Sequence, residues 1–101
     1  MVINTLRSKI AEYYKSKDTL RLSVLRYYLS KVKNREIELR PENKELDDEV
    51  AFKVLRKQVK DRKKAIELFK QGKRDDLVDK ETKELEILRE FAALFPFELD
   101  I

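Results

Sequence analysis

A chain of 101 residues, 42% hydrophobic and 44% charged, is long enough for one hydrophobic core, and its single glycine and two prolines leave little room for turns. Cysteine and histidine are both absent, which excludes disulfides, thiolate nucleophiles, zinc-thiolate sites and every catalytic arrangement that depends on histidine. The formal net charge of +4 permits an anionic partner without requiring one.

The first half of the chain predicts two amphipathic helices. Asp18 or Thr19 is expected to cap the second helix, and Arg40-Pro41 to stop it, because the residue before a proline is disfavoured in the helical region. Both helices carry apolar residues at spacings of three and four, which indicates one buried face each. These stripes are Val2, Leu6, Ile10 and Tyr13 in the first helix, and Leu22, Leu25, Leu29, Val32 and Leu39 in the second.

A third helix is predicted to follow the polar connection after Pro41 and to run to about Gln71. Asp47 or Asp48 is expected to cap its start, and Gly72 to end it in the left-handed C-cap position. Its apolar stripe contains Ala51, Leu55, Val59, Ile66 and Phe69.

A fourth helix is predicted after the glycine, with Asp75 or Asp76 as its cap and Pro96 at its end. Its inner stripe contains Val78, Leu85, Leu88, Ala92 and Phe95. Residues 1–101 are therefore expected to form a single all-α domain, an antiparallel bundle of four helices with short loops.

The charge changes sign at the corner between the third and fourth helices. From Lys53 to Arg74 there are ten basic and two acidic residues, and from Asp75 to Ile101 three basic and nine acidic. Arg62 and Glu81 interrupt the facing apolar stripes ten residues before and nine after Gly72, so they come level in an antiparallel hairpin. Because a desolvated charge requires a partner, we predict an Arg62–Glu81 ion pair that fixes the register of the hairpin; the alternative is that each side chain reaches solvent separately.

One face of the third helix predicts a nucleic-acid contact. Six cations recur there at spacings of three and four, over about 16 Å at 1.5 Å per residue. This basic stripe consists of Lys53, Arg56, Lys57, Lys60, Lys63 and Lys64. A run of phosphates would fit it, whereas the alternative is an ordinary solvated face. The adjacent tyrosine pairs Tyr13-Tyr14 and Tyr27-Tyr28 either stack on bases or fill the edge of the bundle.

No catalytic constellation is visible in the sequence. A single glycine rules out a glycine-rich phosphate loop, and serines on regular helices have no backbone oxyanion donors beside them. Asp75, Asp76 and Asp79 resemble a cation site, yet acidic residues at a helix start are what capping and the helix dipole favour. We therefore expect no catalytic residue, metal or cofactor.

Several segments resemble the YqeY-like proteins, which are related to the tail of one of the subunits that make up the glutamine-dependent aspartyl/glutamyl-tRNA amidotransferase. The similar segments are Thr19-Leu-Arg-Leu-Ser-Val-Leu-Arg26, Lys33-Asn-Arg-Glu-Ile-Glu38, Arg62-Lys-Lys-Ala-Ile-Glu-Leu-Phe69 and Gly72-Lys-Arg-Asp-Asp-Leu-Val-Asp-Lys-Glu81. Members of this family continue for a further helical half after a Tyr-Leu-Pro-like segment, whose counterpart here is Ala93-Leu-Phe-Pro96. The chain is thus expected to correspond to the N-terminal helical domain, with the C-terminal half-domain absent.

The resemblance implies a non-catalytic module associated with tRNA-dependent amide transfer, a carbon–nitrogen ligase reaction with glutamine as amido donor. The expected partners are tRNA or an amidotransferase subunit, contacted through the basic stripe. The alternative is a protein interaction module that uses the apolar segment Phe91 to Phe97 and binds no nucleic acid. We expect a cytoplasmic protein without a membrane segment, because the N-terminus lacks the apolar run of a signal peptide and no apolar run approaches about 20 residues. The sequence leaves the oligomeric state open, with a monomer favoured.

Overall fold

The computed structural model describes all residues from Met1 to Ile101 and shows the predicted antiparallel bundle of four helices. The helices are α1 (Val2–Lys15), α2 (Thr19–Leu39), α3 (Asp48–Gln71) and α4 (Asp75–Ala92), and a short 3₁₀ turn (Arg40–Glu42) follows α2. The most extensive packing is between α3 and α4. No helix is long and apolar enough to cross a membrane.

Local capping explains where α2 and α3 begin. Asp18 accepts a hydrogen bond from the Arg21 backbone N–H at 3.1 Å, and Asp47 accepts one from the Val50 N–H at 2.8 Å. Both are predicted caps, and each satisfies an amide that the first turn leaves free. The first turn of α1 is capped across the bundle instead, since Asp48 accepts a hydrogen bond from the Val2 N–H at 2.9 Å.

The start of α4 differs from the prediction. Neither Asp75 nor Asp76 is the cap: Arg74 precedes the helix without a side-chain cap, and both aspartates lie in its first turn. Asp76 instead pairs with the Arg74 guanidinium, 3.1 Å from Nη2 to Oδ2. The negative charges of both aspartates still interact favourably with the positive end of the helix dipole, although neither side chain makes a capping hydrogen bond.

The left-handed residue that ends α3 is Lys73, and the prediction of Gly72 at this position is wrong. Gly72 has a φ of −82°, whereas Lys73 has a φ of 55°. The Lys73 N–H donates to the Lys70 carbonyl at 3.1 Å, and the Arg74 N–H donates to the Phe69 carbonyl at 2.9 Å. This is the Schellman pattern of hydrogen bonds, and it places the chain reversal one residue after the glycine. A lysine is tolerated there because the left-handed conformation costs only about 1 to 2 kcal/mol.

A single hydrophobic core joins all four helices and the segment that follows α4. Its fifteen buried residues are Ile3, Leu6, Val24, Leu25, Tyr28, Val32, Ala51, Phe52, Leu55, Val59, Ile87, Leu88, Phe91, Ala92 and Phe95. Leu39 is also buried, outside this cluster. The predicted stripes contribute the central residues, and the neighbouring positions Ile3, Val24, Phe52 and Ile87 widen each buried face.

Candidate functional site

The six residues of the basic stripe lie on the outer side of α3, with five of them exposed and Arg56 half-buried. Three of the six have carboxylate partners. Lys53 Nζ lies 3.5 Å from Glu49 Oε1, Lys57 Nζ lies 3.6 Å from Asp61 Oδ2, and Arg56 Nε lies 3.0 Å from Asp100 Oδ1. Lys60, Lys63 and Lys64 make none of the ion pairs of this helix, although Lys60 helps to lower the pKa of the Asp100 carboxyl group, so the least compensated charge lies in the second half of the stripe.

The paired half of the stripe is more neutral than the sequence indicates. Glu49 lies one turn before Lys53, whereas Asp100 is 44 residues from Arg56 along the chain, so only folding brings Asp100 to the stripe. The Arg56 guanidinium donates a hydrogen bond to Asp100 and lowers the pKa of that carboxyl group. Exposed ion pairs of this kind are weak, so a phosphate could compete with the carboxylates for these cations.

Arg62 is part of a largely buried cluster between α3 and α4. Its Nη1 lies 2.8 Å from Glu81 Oε2, and the same nitrogen donates to Glu84. The predicted contact with Glu81 is thus present, and Glu84, one turn later on α4, is a second acceptor that the sequence reasoning missed. The three side chains are 16%, 18% and 12% exposed, so this charge is not available to a phosphate in solvent.

The tyrosines divide between the core and the surface. Tyr28 is fully buried, and its hydroxyl donates to the Ala51 carbonyl at 2.7 Å, which joins α2 to the first turns of α3. Burial raises the pKa of the Tyr28 hydroxyl. Tyr14 and Tyr27 are 70% and 50% exposed, and Tyr27 lies on the side of α2 that faces α3. Tyr27 is therefore an exposed ring on the same side of the bundle as Lys57 of the basic stripe.

A groove of about 700 Å³ lies between α2 and α3, with Glu81 of α4 at one end. Gln58, 7% exposed, lines it, and neither amide atom of its side chain has a hydrogen-bond partner. The Nε of Arg62 is also buried without a partner. The sequence reasoning missed Gln58, although a polar residue three positions after Leu55 and four before Arg62 lies on the inner face of the helix.

The apolar C-terminal segment folds back onto α3. Phe95 is buried, and the rings of Phe95 and Phe97 lie 5.4 and 5.3 Å from that of Phe52. Phe97 remains 39% exposed and Leu94 41% exposed. The segment therefore covers the core with most of its aromatic surface and leaves a small apolar patch outside.

No group of three or more acidic side chains is placed to hold a metal ion.

Comparison with known proteins identifies a protein family and several curated relatives that this chain is similar to. The family model described as Yqey-like protein matches residues 3–99. Altered inheritance of mitochondria protein 41, mitochondrial, is 36% identical in Kluyveromyces lactis over 93% of this chain, and 32% identical in Candida glabrata over 94%. The protein of the same name from Saccharomyces cerevisiae is 33% identical over 98% of the chain. The chain spans about half the length of these relatives, at 50%, 52% and 54%.

These relatives overturn one expectation from the sequence. The predicted cytoplasmic location is wrong, because the matched relatives are named as mitochondrial proteins. The absence of cysteine suits any compartment in which thiols stay reduced, so it does not distinguish between the cytoplasm and such other compartments. The family itself is the one that the sequence segments resemble. The match over nearly the whole chain shows that this protein belongs to the YqeY-like family.

Proposed function

We propose that this domain is a non-catalytic RNA-binding module that contacts the phosphate backbone of tRNA through the basic stripe of α3. The observation that carries the proposal is the group of exposed lysines without carboxylate partners, Lys60, Lys63 and Lys64. They lie within about one turn and a half of each other, so they present three charges to neighbouring phosphates. Lys57 and Lys53 would join them once a phosphate displaces Asp61 and Glu49.

The association with amide transfer rests on family membership and on the resemblance to the tail of one component of the tRNA amidotransferase. In this proposal the domain positions tRNA or contacts the enzyme, and other polypeptides carry out the carbon–nitrogen ligation with glutamine as amido donor. A helical surface with an exposed cationic face suits such a positioning role, since phosphate contacts fix the orientation of a nucleic acid without reading its sequence.

The salt dependence of tRNA binding tests the proposal. Three to five phosphate contacts, at about −0.9 each on a duplex, predict a log–log slope of about −2.7 to −4.5, so a fourfold rise in salt weakens binding by roughly 40-fold to 500-fold. A triple variant with Lys60, Lys63 and Lys64 changed to Gln should lose most of that slope. A matched variant with Lys15, Lys80 and Lys83 changed to Gln removes the same net charge from exposed positions elsewhere. A flat salt dependence, or an equal loss in both variants, would overturn the proposal.

The alternative, a protein interaction module, has one observation in its favour. Leu94 and Phe97 leave an apolar patch beside the covered core. Association through such a patch is hydrophobic and persists in high salt, whereas phosphate binding does not. Capture experiments at low and high salt, with bound RNA and bound protein both identified, therefore separate the two functions.

A further inference from the structure

The groove between α2 and α3 is continuous with the basic stripe. Lys57 belongs to the stripe and also lines the groove, while Val54 and Gln58 lie deeper on the same helix. The C-terminal segment covers the opposite flank of α3, where it contacts Phe52 and Arg56. The groove side of α3 is thus left open, and a backbone bound along the stripe passes directly beside it.

Two polar groups in this groove lack partners. Both amide atoms of the Gln58 side chain and the Nε of Arg62 are buried and make no hydrogen bond. Buried polar atoms are nearly always paired, because leaving them unpaired costs the desolvation of each group. The Gln58 side chain, 7% exposed, therefore offers a free donor and a free acceptor to a ligand once it turns toward the groove.

The wall of the groove on α2 supplies an aromatic face. Tyr27 is 50% exposed, with Lys31 Nζ 5.2 Å and Arg62 Cζ 6.0 Å from the centre of its ring. Lys31 is an exposed, flexible side chain that can leave the ring when a flat ligand arrives. The displaced Lys31 ammonium could then bind a phosphate next to the flat ligand that lies on the Tyr27 ring.

We propose that this groove binds one unpaired nucleotide of the RNA held by the basic stripe, with its base against Tyr27 and its edge hydrogen-bonded to the Gln58 amide. This inference rests on the proposed function. An amide offers one donor and one acceptor side by side, which matches the edge of a nucleobase. A base reaches such a site only when it is out of the stack, as in single-stranded loops and bulges of RNA. The volume is within the range of about 300 to 1,000 Å³ that small-ligand pockets have.

The test compares two short RNA duplexes that differ in one unpaired nucleotide. Fluorescence anisotropy measures the affinity of the protein for a blunt duplex and for the same duplex with a central one-nucleotide bulge. We expect the wild-type protein to prefer the bulged RNA by about tenfold or more, the worth of one base–aromatic contact. A bulge that carries an abasic sugar should lose this preference, because the backbone is unchanged and only the base is missing.

Two variants assign the preference to the groove. Gln58→Leu removes the unpaired amide at similar volume and should fold at least as stably as the wild type, and Tyr27→Ala removes the exposed ring. Each should reduce the ratio of the two affinities to about one and leave binding of the blunt duplex unchanged. The triple lysine variant should lower the affinity for both RNAs by the same factor. Loss of binding by the stripe and loss of binding by the groove are therefore distinguishable.

The Gln58 side-chain amide signals in NMR give a readout that needs no substitution. They should shift with the bulged RNA and not with the blunt or abasic duplex. An affinity ratio near one in the wild type, or amide signals that do not move, overturns the nucleotide site while salt-dependent binding of both RNAs leaves the stripe intact. Amide signals that respond to a peptide and not to bulged RNA would assign the groove to a protein partner and likewise overturn the proposal.

Discussion

We predict that substituting Arg62 lowers the stability of the protein more than substituting Glu81. The Arg62 Nη1 contacts both Glu81 and Glu84, and all three side chains are less than one-fifth exposed, at 16%, 18% and 12%. Arg62→Met keeps an aliphatic chain of similar length but leaves two carboxylates close together without a cation. Glu81→Gln leaves Arg62 paired with Glu84, so every remaining charge keeps a partner.

The burial of the cluster sets the magnitude. Removing one member of a buried ion pair costs about 3 to 5 kcal/mol, and the residual exposure here favours the lower end, about 3 kcal/mol for Arg62→Met. In Glu81→Gln the amide oxygen still accepts from Arg62, so the hydrogen bond is weakened rather than lost, and the substitution should cost about 1 kcal/mol. With a urea m value of about 1.5 kcal/mol/M, the midpoints should fall by roughly 2 M and 0.7 M.

Urea unfolding at neutral pH, followed by circular dichroism, measures both losses. Lys64→Met is the control, because it likewise replaces a cationic side chain by methionine, at an exposed position of the same helix. An Arg62→Met variant no less stable than this control would refute the reasoning, as would Glu81→Gln costing as much as Arg62→Met. Replacing all three cluster residues by apolar ones should restore stability; if the cluster sets the register of the hairpin, the NMR spectrum of that variant should show more than one state.

Two further predictions concern the chain reversal and acid stability. Lys73→Gly should raise the free energy of unfolding by about 1 kcal/mol, because it relieves a left-handed φ of 55°. Gly72→Ala should be neutral or stabilising by up to about 1 kcal/mol, since a new Cβ would meet nothing closer than 3.5 Å. Thermal unfolding measures both effects, and a Lys73→Gly variant less stable than the wild type would contradict this assignment. Arg21 donates two hydrogen bonds to Glu90 at 2.9 and 2.6 Å and lowers the pKa of that carboxyl group below its ordinary 4.5, so the stabilisation is complete above pH 4.5 and is lost as the pH falls through the lower folded value. Glu90→Gln should remove this part of the acid dependence in a series of urea midpoints, and an unchanged pH dependence would show that the contact contributes nothing.

The fold could be predicted because its determinants are local. Aspartates at 18 and 47 precede apolar periodicity and cap α2 and α3 in the structure, and a proline at 41 follows the end of α2. The positions that were missed, such as Ile3 and Phe52, border the predicted stripes. A single line of apolar residues understates a buried face that spans more than 100° of a helix, and how far the face extends depends on the neighbours that pack against it.

The candidate site was predictable only in part. Helical periodicity was sufficient to put six cations on one face, but Asp100 reaches Arg56 only through the path of the C-terminal segment. The groove depends on how α2, α3 and α4 pack against one another, which no spacing within a single helix encodes. Gln58 is therefore an ordinary polar residue in the sequence and becomes notable only when its surroundings are known.

The cations of α3 divide between folding and binding according to what surrounds them. Arg62 is held by two carboxylates at low exposure, and exchanging them for a phosphate would leave both acids buried and unpaired. Lys60, Lys63 and Lys64 have no such partners, so a phosphate that approaches them displaces only water and counterions. In the groove beside them Arg62 is already paired with Glu81 and Glu84, so in the proposed site the edge of the base is recognised by the Gln58 amide and not by the Arg62 guanidinium.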